Sequence, residues 1–196
     1  MQFEGSCDWS RTARVSGIER CKGVMNAMKV LKKQKNSRYC IICGMDNDAS
    51  VKAPFYEMED KTLVSLFQFK LIHQSYPGRV HGGMITAMLD ELIGRALWID
   101  APTTYGVTTN LNIKYRKAVP YDQNLVAVAK LTKNTSMFFS GVGKIFDEEG
   151  NVLAEAEANY LKLPPDKIQE NLHADDEMIY QIDDGVCEIN MEKFLL

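Results

Sequence analysis

The chain has 196 residues, 45% of them hydrophobic and 25% charged, with a net charge of −3. That is enough for one domain with a real core, and no apolar run approaches the roughly 20 residues that a membrane-spanning helix needs. Five cysteines are too few and too unevenly placed for a secreted disulfide framework, and the start MQFEGSCDWSRTARV lacks the apolar segment of a secretory signal, so a cytoplasmic protein with reduced thiols is expected.

The small net charge hides an asymmetry. Residues 1–39 carry nine Lys and Arg against three acids, and residues 164–196 carry nine Asp and Glu against two lysines. A basic arm alone would suggest nucleic acid. With an acidic segment of equal size on the same molecule, mutual packing or plain solvation is the better reading, and no nucleic-acid or membrane partner is expected.

In chain order, GIERCKGVMNAMKVLKKQK places Ile18, Cys21, Met25, Met28 and Leu31 at helical spacing and predicts an amphipathic helix in a basic N-terminal arm, residues 1–39. Next comes Cys40-Ile-Ile-Cys43-Gly44. The spacing is that of half a zinc site, but no second pair accompanies it, so no metal is expected. VKAPFYEM and KTLVSLFQFKLI, separated by an acidic turn at Glu59-Asp60, read as a hairpin. An apolar helix follows at about 82–98, with apolar residues nearly all the way round, so it must be buried on most sides. Beyond it YGVTTNLNIKYRKAV, QNLVAVAKLTKN, MFFSGVGKIFD and NVLAEAEANYLKL read as four strands. In the first, Val107, Thr109, Leu111, Ile113 and Tyr115 alternate with polar residues, which predicts one buried face. The core domain is 40–163, and everything after Pro164-Pro165 reads as an acidic C-terminal tail, 164–196. Two strands, a long helix and four strands give an α+β class, with a curved antiparallel sheet wrapped round one central helix.

The segment PGRVHGGMITAMLDELIG carries the chemistry. Gly82 and Gly83 allow close backbone approach at the helix start, where the first amides have no intrahelical partner and the dipole is positive, a site for an anion or a developing oxyanion. Asp90 has Thr86, Ala87 and Gly94 one turn away, and such small neighbours leave its carboxylate reachable. The blander alternative is a solvated acid on a stripe with Glu91 and Arg95. A Ser-His-Asp triad from His73, His81 and Asp90 lacks its G-x-S-x-G elbow.

HGGMITAMLDELIG resembles the signature of the hotdog-fold acyl-CoA thioesterases, in particular the PaaI-like branch, in which an HGG turn is followed nine positions after the His by a catalytic acid. CIICGMDN, HQSYPGRVHGG and VTTNLNIKYRKAVP resemble the lead-in, active-site loop and third strand of such proteins, so the resemblance spans about residues 40–163. It implies the hotdog fold and hydrolysis of an acyl-CoA to a free acid and coenzyme A, without metal or bound cofactor, by a homodimer or dimer of dimers. It further implies that Asp90 is the general base or the nucleophile, that the Gly83 amide polarises the thioester carbonyl, that His81 shapes the turn, and that Thr108 helps to hold water. Where many relatives have Asn six positions before the HGG His, this chain has Ser75, so His73 or Gln74 is expected to supply the polar group. Arg79, Arg116 and Lys117 are the candidates for the coenzyme A phosphates, with ordinary surface charge as the alternative, and Gly82 is a further expected substrate-binding residue. A non-catalytic acyl-CoA-binding or regulatory protein is the alternative reading.

Overall fold

The structure, a computed structural model, describes residues 27–102, 104–163 and 178–196. Its elements are β1 (Ala27–Lys33), β2 (Tyr56–Met58), β3 (Leu63–Phe67), the helix α1 (Gly82–Ala96), then β4 (Tyr105–Tyr115), β5 (Leu125–Asn134), β6 (Phe138–Phe146), β7 (Val152–Leu163) and β8 (Glu188–Asn190). The strands form one antiparallel sheet in the order β4-β7-β6-β5-β3-β2-β1-β8. This is the hotdog arrangement expected from the sequence, a sheet curled round one helix.

Two sequence features let the helix settle into the sheet. On α1, Ile85, Met88, Leu89, Leu92, Ile93 and Ala96 are buried. Beneath them β6 offers glycines: a Cβ on Gly141 would lie 2.7 Å from Ile93 Cγ2, and one on Gly143 would lie 3.0 Å from Ile93 Cγ1. On β7 the inward residues are Ala154, Ala156, Ala158 and Tyr160, so the floor is shallow for three positions and then rises to a large ring. The hairpin also forms as expected, with Asp60 Oδ1 accepting from the Thr62 amide (3.0 Å) and hydroxyl (2.6 Å) in its turn.

The helix predicted in the N-terminal arm is corrected over 27–35, of which 27–33 is a strand; the remainder of that prediction, 17–26, lies outside the described residues. Met28 and Val30, two apart, pack toward the outer face of the sheet, while Leu31 stays 62% exposed. Helical spacing is a local signal, and here it is overridden because β2 and β8 hydrogen-bond both edges of the segment.

The last residues join the same sheet. Tyr180 bridges Asn36, β8 pairs with β1, and Ile189 and Met191 close a second apolar cluster with Tyr56, Met58, Val64, Val126, Val128 and Phe146 on the outer face. Basic and acidic ends meet here: Lys33 pairs with Asp184, which also accepts from Tyr56 OH. Ile189→Ala is expected to cost about 2–4 kcal/mol in urea unfolding through lost burial and the cavity left behind, whereas Glu188→Ala, on the exposed side of β8, should stay within about 0.5 kcal/mol.

Candidate active site

Helix α1 begins at the HGG turn. His81 is its N-cap, in extended conformation, and His81 Nδ1 accepts the Gly83 N–H at 2.9 Å. The amide expected to face a thioester carbonyl is thus held by an imidazole, itself exposed. Tyr115 reaches the same turn from β4: its hydroxyl donates to Gly82 O at 3.0 Å and lies 2.8 Å from Thr86 Oγ1. A Cβ on Gly82 would come within 3.3 Å of that hydroxyl, so the glycine makes room for the ring.

The loop before the helix is ordered by His73. Its buried ring takes the Lys70 N–H on Nδ1 (3.0 Å) and donates from Nε2 to Ala49 O (2.9 Å), and its carbonyl accepts the His81 N–H (2.8 Å). Both ring nitrogens are committed to the backbone, so His73 positions the HGG turn. Gln74 pairs with Val80 across the same loop, the Ser75 N–H donates to Arg79 O, and the side chains of Gln74 and Ser75 are exposed.

Two turns into α1 stands Asp90, half-buried. Thr108 Oγ1 donates to its Oδ1 at 2.9 Å, and Tyr160 OH lies 3.0 Å from the same oxygen and 3.0 Å from the Asp90 carbonyl. Thr108 arrives there because β4 contains a bulge: it pairs with Tyr160, but the next paired residue, Asn110, faces Asn159. The extra residue switches the side-chain alternation. The expectation that Val107, Thr109 and Tyr115 share one buried face with Leu111 and Ile113 is therefore corrected; Thr108 is the residue turned toward the helix, and Val107 and Tyr115 are 45% and 53% exposed.

Tyr160 was not singled out in the sequence. Its ring stacks on Phe139, with centroids 4.5 Å apart and an interplanar angle of 6°, and is 2% exposed. Burial first, and then the Asp90 carboxylate, push its phenol far above the usual range, so it remains a proton donor to the carboxylate at any ordinary pH. The only clue in the sequence was its place at the end of the alternating NVLAEAEANY.

An open cleft of about 490 Å³ contains Asp90, Thr108 and Tyr160, together with Gly94, Trp98 and Cys40. A second, of about 360 Å³, lies at the helix start and contains Gly82, Tyr115, Arg79, Arg116 and Lys117. Four of the expected binding residues thus come together there, although Arg116 is also paired with Glu155. Within one chain, the helix start and the acid belong to different clefts.

Arg95 is the other residue the sequence did not distinguish. It is 4% exposed, with its guanidinium between the rings of Phe55 (4.6 Å) and Trp98 (4.7 Å). Nε donates to Glu91 Oε1 at 2.6 Å, Nη1 to Lys35 O at 3.0 Å, and Nη2 to Cys43 Sγ at 2.9 Å. The reading of a solvated Asp90-Glu91-Arg95 stripe is excluded by this burial.

A sheet curled round one helix, with an acid on that helix held by hydroxyls from two strands, defines a hotdog domain. Residues 77–154 match the family model described as thioesterase superfamily. The chain is 36% identical over 117 residues to the acyl-coenzyme A thioesterase THEM4 of Mus musculus, an alignment covering 59% of this chain and 49% of that protein. It therefore spans about half the length of the curated relatives it matches. Among solved structures, a thioesterase superfamily protein shares the fold at a TM-score of 0.58 and 23% identity, with 63% of each chain covered. A mutant thioesterase from Pseudomonas aeruginosa shares it at 0.52 and 16%, covering 58% of this chain and 83% of the other.

Arg95→Met leaves Glu91 without its cation and is expected to lower stability by about 3 kcal/mol. In the Arg95→Met/Glu91→Gln double variant much of that loss should return, and urea unfolding of the three variants completes the cycle.

Proposed function

We propose that the protein is an acyl-CoA thioesterase, hydrolysing an acyl-CoA to the free acid and coenzyme A. The observation that carries this reading is Asp90, a carboxylate on the central helix whose Oδ1 is held by Thr108 and Tyr160. One oxygen is fixed by two hydroxyls, and the residue lines the open cleft. It either takes a proton from the attacking water or attacks the thioester carbon itself. In the first route the water oxygen bonds to that carbon, the C–S bond breaks, and the thiolate leaves. In the second, an anhydride forms with loss of the thiolate and water then opens it. Both end in the same acid and thiol, and neither calls for a metal or bound cofactor.

The carbonyl oxygen needs donors where its charge develops. The start of α1 supplies them, at the Gly83 amide. Because His81 Nδ1 holds that amide at 2.9 Å, the carbonyl engages it when the exposed imidazole turns aside. Arg79, Arg116 and Lys117 in the adjoining cleft suit the phosphates of coenzyme A.

Asp90→Asn should retain the fold and lower turnover at least about a hundredfold, since the amide fills the space but is neither base nor nucleophile. Tyr160→Phe keeps the stack on Phe139 and removes one hydrogen bond to a charged group, so turnover should fall about tenfold. Release of thiol from a panel of aromatic and medium-chain acyl-CoAs measures both. Tight binding of acyl-CoA without thiol release would establish the non-catalytic reading instead.

The site as proposed is shared between two subunits. Gly83 and Asp90 are seven residues apart on one helix, about 10 Å at 1.5 Å per residue, and Asp90 lines one cleft of the chain while Gly82, next to Gly83, lines the other. Two helices antiparallel across a two-fold axis place the start of one beside the middle of the other. The edge strand β4 supports such pairing, being largely exposed along its 11 residues with Val107 and Tyr115 among the exposed apolar groups. Asp90→Ala and Gly83→Pro should each be inactive alone. When their subunits are mixed and exchange is verified by mass, about half the dimers are hybrid, each with one intact site, and activity should return to about a quarter of wild type. No recovery would place the whole site within one subunit.

A further inference from the structure

The Cys40-x-x-Cys43 motif is not used by the proposed hydrolysis, yet the fold brings a third ligating group to it. Glu91 stands on α1 next to Asp90, and the two sulfurs and a Glu91 carboxylate oxygen all lie within 4.8 Å of one another. Cys43 Sγ is 3.7 Å from Glu91 Oε1. In a tetrahedral site with metal–sulfur bonds of about 2.3 Å and metal–oxygen bonds of about 2.0 Å, neighbouring ligand atoms are about 3.5–3.8 Å apart. Small rotations of side chains already in place reach that geometry.

We propose that Cys40, Cys43 and Glu91 form a binding site for a thiophilic divalent cation of the zinc class, which pins the turn at 40–44 to the central helix beside Asp90. The surroundings of the two sulfurs argue for it. The Ile42 N–H donates to Cys40 Sγ at 3.3 Å, the Ser37 N–H to Cys43 Sγ at 3.5 Å, and Arg95 Nη2 to Cys43 Sγ at 2.9 Å. These donors form an outer shell of the kind that orients metal ligands. The turn is built for this approach: the Gly44 N–H donates to Cys40 O at 2.8 Å, and a Cβ on Gly44 would lie only 2.4 Å from that oxygen.

Charge also balances. Two thiolates and a carboxylate carry three negative charges, which a divalent cation and the buried Arg95 cancel. Binding then exchanges two thiol protons for the cation, so affinity rises with pH. Two sulfur ligands select zinc over magnesium or calcium. The fourth ligand is solvent from the cleft that Cys40 and Glu91 share with Asp90. The role is one of position: a cation there ties residue 91, and with it the turn of helix carrying residue 90, to a separate segment of the chain.

The test uses the full chain stripped of metal by a chelator under reducing conditions and titrated with cobalt(II). One cobalt per chain is expected, with a thiolate charge-transfer band in the near ultraviolet and intense visible bands of four-coordinate geometry, both lost on adding zinc(II). Zinc should raise Tm by several degrees. Cys40→Ser, Cys43→Ser and Glu91→Gln should each weaken binding at least about tenfold, whereas Asp90→Asn and Cys187→Ser should not. In the wild-type chain, which avoids any folding defect of the variants, stoichiometric zinc should protect Cys40 and Cys43 from alkylation as read by mass spectrometry. Absence of binding at micromolar metal, cobalt bands that survive both cysteine substitutions, or alkylation and disulfide formation unaffected by zinc would each overturn the proposal.

Discussion

The structure depends on burying α1. A helix with apolar residues on most sides is stable only inside a concave surface, and the sheet supplies one because β6 places glycines and β7 alanines beneath it. That fit leaves one stripe of the helix less enclosed, running through Gly83, Thr86, Ala87, Asp90 and Gly94 at near four-residue spacing. Chemistry on this helix is confined to the stripe. The cost of placing a carboxylate inside an apolar segment is kept small because Asp90 sits there, half in the cleft and hydrogen-bonded to two hydroxyls.

The two hydroxyls reach it by different routes, and each accounts for a departure from regular structure. Tyr160 comes at the point where β7 changes from alanines to a large ring, beside Gly106, where a Cβ would lie 2.5 Å from Phe139 Cζ. Thr108 comes through the bulge in β4. Without the extra residue, Thr108 would point away from the helix and the carboxylate would lose a donor. A defect in strand pairing at an edge thus re-aims a polar side chain while Leu111 and Ile113, beyond the bulge, still pack on the core.

What the sequence revealed was mainly what is local. The helix, its HGG start, the hairpin and the four following strands rest on periodicity and turn residues within short windows, and all are present. Asp90 was reachable because the motif fixes its spacing, and Thr108 because the resemblance extends along its strand. Residues whose meaning depends on distant partners were not. The segment 27–33 has helical spacing yet is a strand, because its hydrogen-bond partners lie at 56–58 and 188–190. His73 looked like a pocket residue beside Ser75, yet both ring nitrogens serve the backbone. Arg95 looked like surface charge on a helix, and no window of sequence places Phe55, Trp98, Glu91 and Cys43 around it.

The same reasoning explains why two charge-rich ends do not behave as solvated tails throughout. Where they are described, they act through a few specific contacts: β1 against β8, Lys33 with Asp184, and Tyr180 OH with both Asp46 carboxylate oxygens at 2.8 Å. Exposed ion pairs are worth little on their own. Apolar burial supplies the driving force, since Ile189 and Met191 cover an outer face of the sheet that would otherwise present Tyr56, Met58 and Phe146 to water. Charge then selects which segment covers it and in which direction. The outer layer stiffens β2 and β3, whose inner residues Leu63 and Phe67 pack in the same core as α1, so a segment remote from the cleft in both sequence and space contributes to holding the helix, and with it Asp90, in place.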